Sequence, residues 1–147
     1  MSYPDLTQRP PRSPRVRLGG YVILPRILDK CRALLAGTNG EYHYACPIDQ
    51  RFLVFTGIDP EVLKAEVAKG LGDGAILAWI QANAPIQRAD HEIEAWSRFR
   101  ENAAPGDNDS RAYVSSAIEA TGGAEREDIA TWFEWLDYDD YMSFGGV

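Results

Sequence analysis

Leu24-Pro25-Arg26-Ile27-Leu28-Asp29-Lys30-Cys31-Arg32-Ala33-Leu34-Leu35-Ala36-Gly37 is the stretch that decides the fold. Ile27, Cys31, Leu34 and Leu35 recur at helical spacing, with Leu24 and Leu28 beside them, so one face of a helix over 24–36 is apolar. Pro25 suits the first turn, where its missing N–H is not needed. Gly37 suits the terminating position, which favours a left-handed backbone. Asp29, Lys30 and Arg32 fall mostly outside the apolar stripe and are expected in solvent.

The same grammar repeats toward the C-terminus. Pro47 opens a short helix over 47–55 carrying Phe52, Leu53 and Phe55. Asp59-Pro60 is a cap followed by a proline, and starts a helix that ends near Lys69-Gly70. Asp73 caps the next, with Ile76, Leu77 and Ile80 buried and Pro85 as its limit. Helices follow over 87–102, 109–121 and 126–137, the last with the stripe Ile129, Trp132, Phe133 and Leu136. The fold class expected is therefore all-α, an irregular bundle of six to seven short helices with brief connections.

N-terminal to residue 24, Pro4, Pro10, Pro11 and Pro14 disfavour helix. Residues 1–20 read as an extended Pro/Arg-rich arm ended by Gly19-Gly20, its later part docking through Val16, Leu18, Tyr21 and Val22. The 147 residues suit a single domain. Within it, 104–147 is expected to be a helical pair plus an aromatic tail, packed on the same core.

Charge is uneven. Residues 1–40 hold seven basic groups against two acidic ones, a surplus of five, whereas the whole chain is −7, so the remainder carries −12. An acidic whole argues against DNA and against general affinity for phosphates. RNA contact through the arm's arginines ranks last among the readings. The expectation is that the arm lies against acidic groups of its own chain or of a second copy, so a homodimer is one anticipated partner. No run approaches the length of a membrane span. The N-terminus lacks a charged region followed by an apolar stretch, and the two cysteines, Cys31 and Cys46, are no disulfide scaffold, which together predict a cytoplasmic protein.

Between the first two helices lies Gly40-Glu41-Tyr42-His43-Tyr44-Ala45-Cys46-Pro47-Ile48-Asp49. An extended course over 41–45 would point Tyr42 and Tyr44 the same way. With Pro47 first in its helix, Cys46 takes the N-cap, where free N–H groups and the helix dipole favour a thiolate. His43 is the candidate base for it, and Asp49 is placed to reach back to the Cys46 N–H. Tyr21, Tyr42 and Tyr44, with Arg26 and Lys30, form a candidate pocket for a small anionic ligand. Cys31, on the apolar stripe, reads as a small core residue. No cofactor fingerprint and no metal-ligand spacing is present. His91 lacks a second histidine, and Asp137, Asp139 and Asp140 lack the glycine and distal glutamate of a calcium loop. Those three acids are candidate partners for the arm's arginines.

Two stretches resemble a known family: Arg12-Ser13-Pro14-Arg15 through Leu18-Gly19-Gly20-Tyr21 to Asp29-Lys30-Cys31-Arg32, and Gly40-Glu41-Tyr42 through Cys46-Pro47-Ile48-Asp49 to Phe52-Leu53 and Gly57-Ile58-Asp59. They are similar to the bacterial family catalogued as domain of unknown function 5069, closely over 12–60 and more loosely to about residue 100. The resemblance implies a bacterial, cytoplasmic origin. It carries no activity, cofactor or catalytic residue. The function expected from the residues is a non-enzymatic small-ligand or interaction domain using Tyr21 and Tyr42–Asp49. The alternative is a thiol-dependent enzyme or redox-responsive protein centred on Cys46 with His43.

Overall fold

The computed structural model describes residues 3–123 and 126–146. Nine elements follow in order: β1 (Arg17–Leu18), β2 (Tyr21–Val22), α1 (Leu24–Ala36), α2 (Pro47–Thr56), α3 (Pro60–Val67), α4 (Asp73–Asn83), α5 (Asp90–Asn102), α6 (Asn108–Ala120) and α7 (Trp132–Ser143). The protein is mostly helical.

The punctuation works as its chemistry dictates. Gly37 and Gly57 adopt φ of 72° and close α1 and α2. After each, an N–H returns to the helix, from Thr38 to the Ala33 carbonyl and from Ile58 to that of Leu53. The Asp59 side chain accepts from the Glu61 N–H at 2.8 Å and caps α3.

The small hairpin is a departure from the all-helical expectation. Gly19 and Gly20 form a two-residue turn at φ of 59° and 84°, and Leu18 pairs with Tyr21 across it. Positive φ at both turn positions matches the right-handed twist of paired strands. Ile23 follows at φ 73°, an unusual value for a β-branched residue. It is wholly buried and held by its N–H bond to the Pro14 carbonyl at 2.9 Å.

The main core joins Val22, Ile27 and Leu28 to Phe52, Leu63, Ile76, Ile80 and Phe133. α1 packs on α3, and α5 on β2 and α7. A smaller cluster joins Val114 and Ile118 to Tyr138. The C-terminal helical pair thus gives Phe133 to the main core and builds a cluster of its own.

The arm is neither disordered nor simply laid on the surface. Leu6 is 1% exposed, and its N–H bonds to the Thr38 carbonyl at 2.8 Å. The final helix is shifted from 126–137 to Trp132–Ser143. Thr131 accepts from the Glu134 N–H while Glu134 accepts from the Thr131 N–H, a reciprocal cap that starts the helix there. Residues 41–45 form no strand: Glu41, Tyr44 and Ala45 lie in turns, with Tyr42 and His43 in irregular chain between them. On α1, the periodicity misplaces both ends of the scale. Leu34 and Leu35 are each 38% exposed, whereas Lys30 and Arg32, expected in solvent, are buried.

Candidate functional site

The site is built where α1, the 40–46 turn, the start of α2 and α7 converge. Pro47 sets the first turn of α2, leaving Cys46 at the N-cap, half-buried, with no hydrogen bond from its side chain to the helix. Lys30 reaches across from α1. Its Nζ donates to Cys46 Sγ at 3.4 Å and to the Asp49 carboxylate at 2.8 Å. Asp49 is completely buried. Its second oxygen accepts the N–H of Ala45 at 2.9 Å, one residue before the N–H predicted from the sequence. Ala45 takes φ 61° to present that N–H, a left-handed conformation costing about 1–2 kcal/mol for an L-residue.

A second buried ion pair lies alongside. The Arg26 guanidinium forks onto Asp140 at 2.7 and 3.2 Å, and the Tyr42 hydroxyl donates to the same carboxylate at 2.7 Å. Arg26 also sits 5.6 Å from the Tyr42 ring centre, a cation–π distance. Burial, and then the bond to Asp140, push the Tyr42 pKa up, so it stays a protonated donor. Buried ions need such complete satisfaction, because desolvation costs several kcal/mol per ion. Asp139, next in the chain, has its carboxyl pushed above the ordinary value by burial and then by the charge of Asp140.

These groups wall a cavity of about 840 Å³, whose lining includes Arg26, Lys30, Tyr42, His43, Cys46 and Asp139. Tyr113, Leu136 and Phe144 from the C-terminal helices give it apolar surface. Sequence reasoning did not join that wall to the site. The acidic run at 137–140 was the available signal, but it pointed to the arm. Asp137 does take Arg15 at 2.9 Å, whereas Asp140 takes Arg26 of α1.

The predicted site residues therefore divide. Arg26, Lys30, Tyr42, His43 and Cys46 meet at the cavity, with Asp49 behind Lys30. Tyr21 and Tyr44 do not join them. Tyr21 is 5% exposed and meets Phe52 edge-on at 5.2 Å. The Tyr44 hydroxyl donates to the Pro60 carbonyl at 2.7 Å. Burial pushes the pKa of both rings up. His43 is exposed at the rim, and among the described residues the polar partner of Cys46 Sγ is Lys30 rather than His43. Cys31 is wholly buried, and burial pushes its thiol up to about 12.

Arg26 and Lys30, the groups expected to receive an anion, each face a buried carboxylate, and Glu41 and Asp139 add negative charge to the lining. Among the described residues no three His, Cys, Asp or Glu side chains gather to hold a metal ion. None of the described helices is long and apolar enough to cross a membrane.

A mostly helical domain with a polar, ion-paired cavity is the class of protein that fold and site define. Residues 8–142 match the model of the family described as domain of unknown function (DUF5069), and the chain belongs to that family. No curated protein matches the chain.

Proposed function

We propose that the protein is a non-enzymatic small-ligand-binding domain, and that the cavity beside Cys46 is its site. The observation that carries this reading is the cavity itself: about 840 Å³ walled by apolar side chains and by polar groups that include the ion-paired Arg26 and Lys30. Ligand sites combine these features. The buried pairs Lys30–Asp49 and Arg26–Asp140 hold their groups in place before a ligand arrives. The charge balance favours a neutral or cationic polar molecule over an anion, because both cations are already neutralised. A thermal-shift series of small amines, polyols and carboxylic acids tests this, since a ligand of the folded state raises Tm by mass action. Amines or polyols should raise Tm, and Cys46→Phe, which puts a bulky ring into the cavity beside Lys30, should diminish the rise. A rise left unchanged by Cys46→Phe would remove the cavity from consideration.

The contact between Lys30 Nζ and Cys46 Sγ supports the alternative, a thiol-dependent activity. An ammonium and a helix start beside a sulfur are features of reactive cysteines. Native protein should then be alkylated by iodoacetamide at Cys46 alone, with Cys31 reacting only after unfolding. Resistance of Cys46 in the native state would end that alternative.

Two further parts of the reading rest on smaller observations. Both cysteines are free thiols, in keeping with a reducing, cytoplasmic location. Leu34 and Leu35, left partly exposed on α1, offer a contact for a second copy, which sedimentation of the wild type against Leu34→Glu would reveal. Contact with nucleic acid has no support here, because Arg12, Arg15 and Arg17 of the arm are paired with Asp29, Asp73, Asp137, Glu94 and Glu101 of the same chain.

A further inference from the structure

Helix α2 has a second face, turned away from the cavity. There it meets α5 and the segment before it in a groove of about 370 Å³, where Arg51, Arg88 and Arg100 stand over Val54, Phe55 and Trp96. In a chain of net charge −7, most arginines are ion-paired, Arg12, Arg15, Arg17, Arg26 and Arg32 among them, while Arg9 and Arg111 stand apart from the groove without such a pair among the described residues. The three groove arginines have one carboxylate among them within the described residues, Glu92, at 3.4 Å from Arg88. Of the other acids of α5, Glu94 takes Arg17 and Arg98, and Glu101 takes Arg17.

The guanidinium groups are held by other means. Arg88 donates from Nε to the Phe55 carbonyl at 3.1 Å and lies 4.4 Å from the Phe55 ring centre. Phe55 in turn stacks on Trp96, with centres 4.8 Å apart and planes 5° from parallel. Arg100 lies 4.5 Å from the Phe99 ring centre. Its Nε is sealed from solvent with no hydrogen-bond partner among the described residues, although a buried donor left unmatched is costly. Burial, and then the neighbouring charge of Arg51, lower the Arg100 pKa. Like charges are therefore gathered, with Glu92 answering Arg88 alone and no carboxylate paired with Arg51 or Arg100 among the described residues. Guanidinium forks match the two oxygens of a carboxylate or phosphate, and an aromatic floor takes whatever flat or apolar group carries them.

We propose that this groove is an oxyanion site in which Arg51, Arg88 and Arg100 receive the phosphate or carboxylate of a small ligand whose apolar part packs on Val54, Phe55 and Trp96. The anion-binding chemistry that the sequence suggested for Arg26 and Lys30 is available here, on the other side of α2, because here Arg51 and Arg100 are not neutralised from within the described residues. The site stands independently of the cavity.

Calorimetric titration at constant ionic strength tests it, with phenyl phosphate, benzoate and the neutral benzyl alcohol as probes. The expected result is saturable binding of at least one anion, absent for benzyl alcohol and weakened about tenfold in both Arg51→Gln and Arg100→Gln. Arg98→Gln, which removes an arginine of α5 paired with Glu94, should bind like the wild type. Tighter binding of phenyl phosphate identifies a phosphate ligand, and tighter binding of benzoate a carboxylate. The proposal fails if neither anion binds better than benzyl alcohol. It fails equally if Arg51→Gln binds as the wild type does. Arg51 is exposed, so its replacement leaves the packing intact and decides the matter even if Arg100→Gln does not fold.

Discussion

At the scale of single residues, Asp49 and Asp140 matter most, because each serves a buried cation and a second donor at once. Asp49→Ala would leave the Lys30 ammonium buried without its carboxylate and the Ala45 N–H without its acceptor. Breaking one side of a buried pair costs about 3–5 kcal/mol, so the urea midpoint should fall steeply. Replacing both partners, Lys30→Met with Asp49→Leu, should recover most of that loss. If the double variant is as unstable as the single one, uncompensated charge is not the cause.

Two other aspartates should respond to pH with opposite signs. The Asp73 carboxyl is held below its ordinary value of 3.8 by hydrogen bonds first from Arg12 and then from Arg32, against the opposing effect of burial. A depressed folded pKa stabilises above 3.8, and that stability is lost as pH falls through the folded value. The Asp139 carboxyl is raised, by burial and then by Asp140. A raised folded pKa favours the fold below 3.8, and the benefit is lost as pH rises through the folded value. At neutral pH, Asp73→Asn should therefore lower Tm and Asp139→Asn should raise it. Both differences should shrink toward zero in melts taken below pH 3.8.

At the scale of elements, the local chemistry of capping explains what was legible. α1 to α4 begin close to the positions that Pro25, Pro47, Asp59-Pro60 and Asp73 mark, although Gly72 rather than Asp73 is the N-cap of α4, because the Asp73 carboxylate takes Arg12 and Arg32 instead. The misplaced last helix has the same explanation in reverse. The apolar spacing of Ile129 with Trp132, Phe133 and Leu136 suggested an early start, but Thr131-Trp132-Phe133-Glu134 is a capping box, and the cap decides where the N–H groups find acceptors. Thr131→Ala should cost about 1 kcal/mol in chemical denaturation. The hairpin was not read from the sequence, which took Gly19-Gly20 as the end of the arm, although Gly-Gly between apolar pairs is a two-residue turn signal. Gly19 is there for two reasons: its φ is 59°, and a Cβ would lie 2.4 Å from the Leu77 side chain. Gly19→Ala should lose about 1–3 kcal/mol. A neutral result would show that Leu77 moves aside freely.

At the scale of the whole molecule, the arm ties the two ends of the chain to the bundle. Arg12 bridges Asp29 and Asp73, Arg15 takes Asp137, and Arg17 takes Glu94 and Glu101. Partly exposed pairs such as these are screened by salt. Leu6, Pro4, Pro11 and Pro14 are buried as well, and their burial is not screened. Deleting residues 1–17 should lower Tm, and raising the salt concentration should narrow the gap to the wild type without closing it. Complete closure would mean that the arm is held by charge alone.

By itself, the sequence determined the helical class and the element boundaries set by prolines, glycines and caps, and it singled out the segment around Cys46. All of these depend on interactions within about one or two helical turns, which periodicity and residue type encode directly. Tertiary structure alone decided what that segment faces. Lys30 and Asp49 are 19 residues apart, and Arg26 and Asp140 are 114 apart. Their meeting depends on how α1, α2 and α7 cross, and no local pattern records that. The same crossings buried two cations that helical periodicity assigns to solvent. They turned Tyr21 and Tyr44 into packing residues, and the approach of α2 to α5 left Arg51 and Arg100 together without a counter-ion among the described residues.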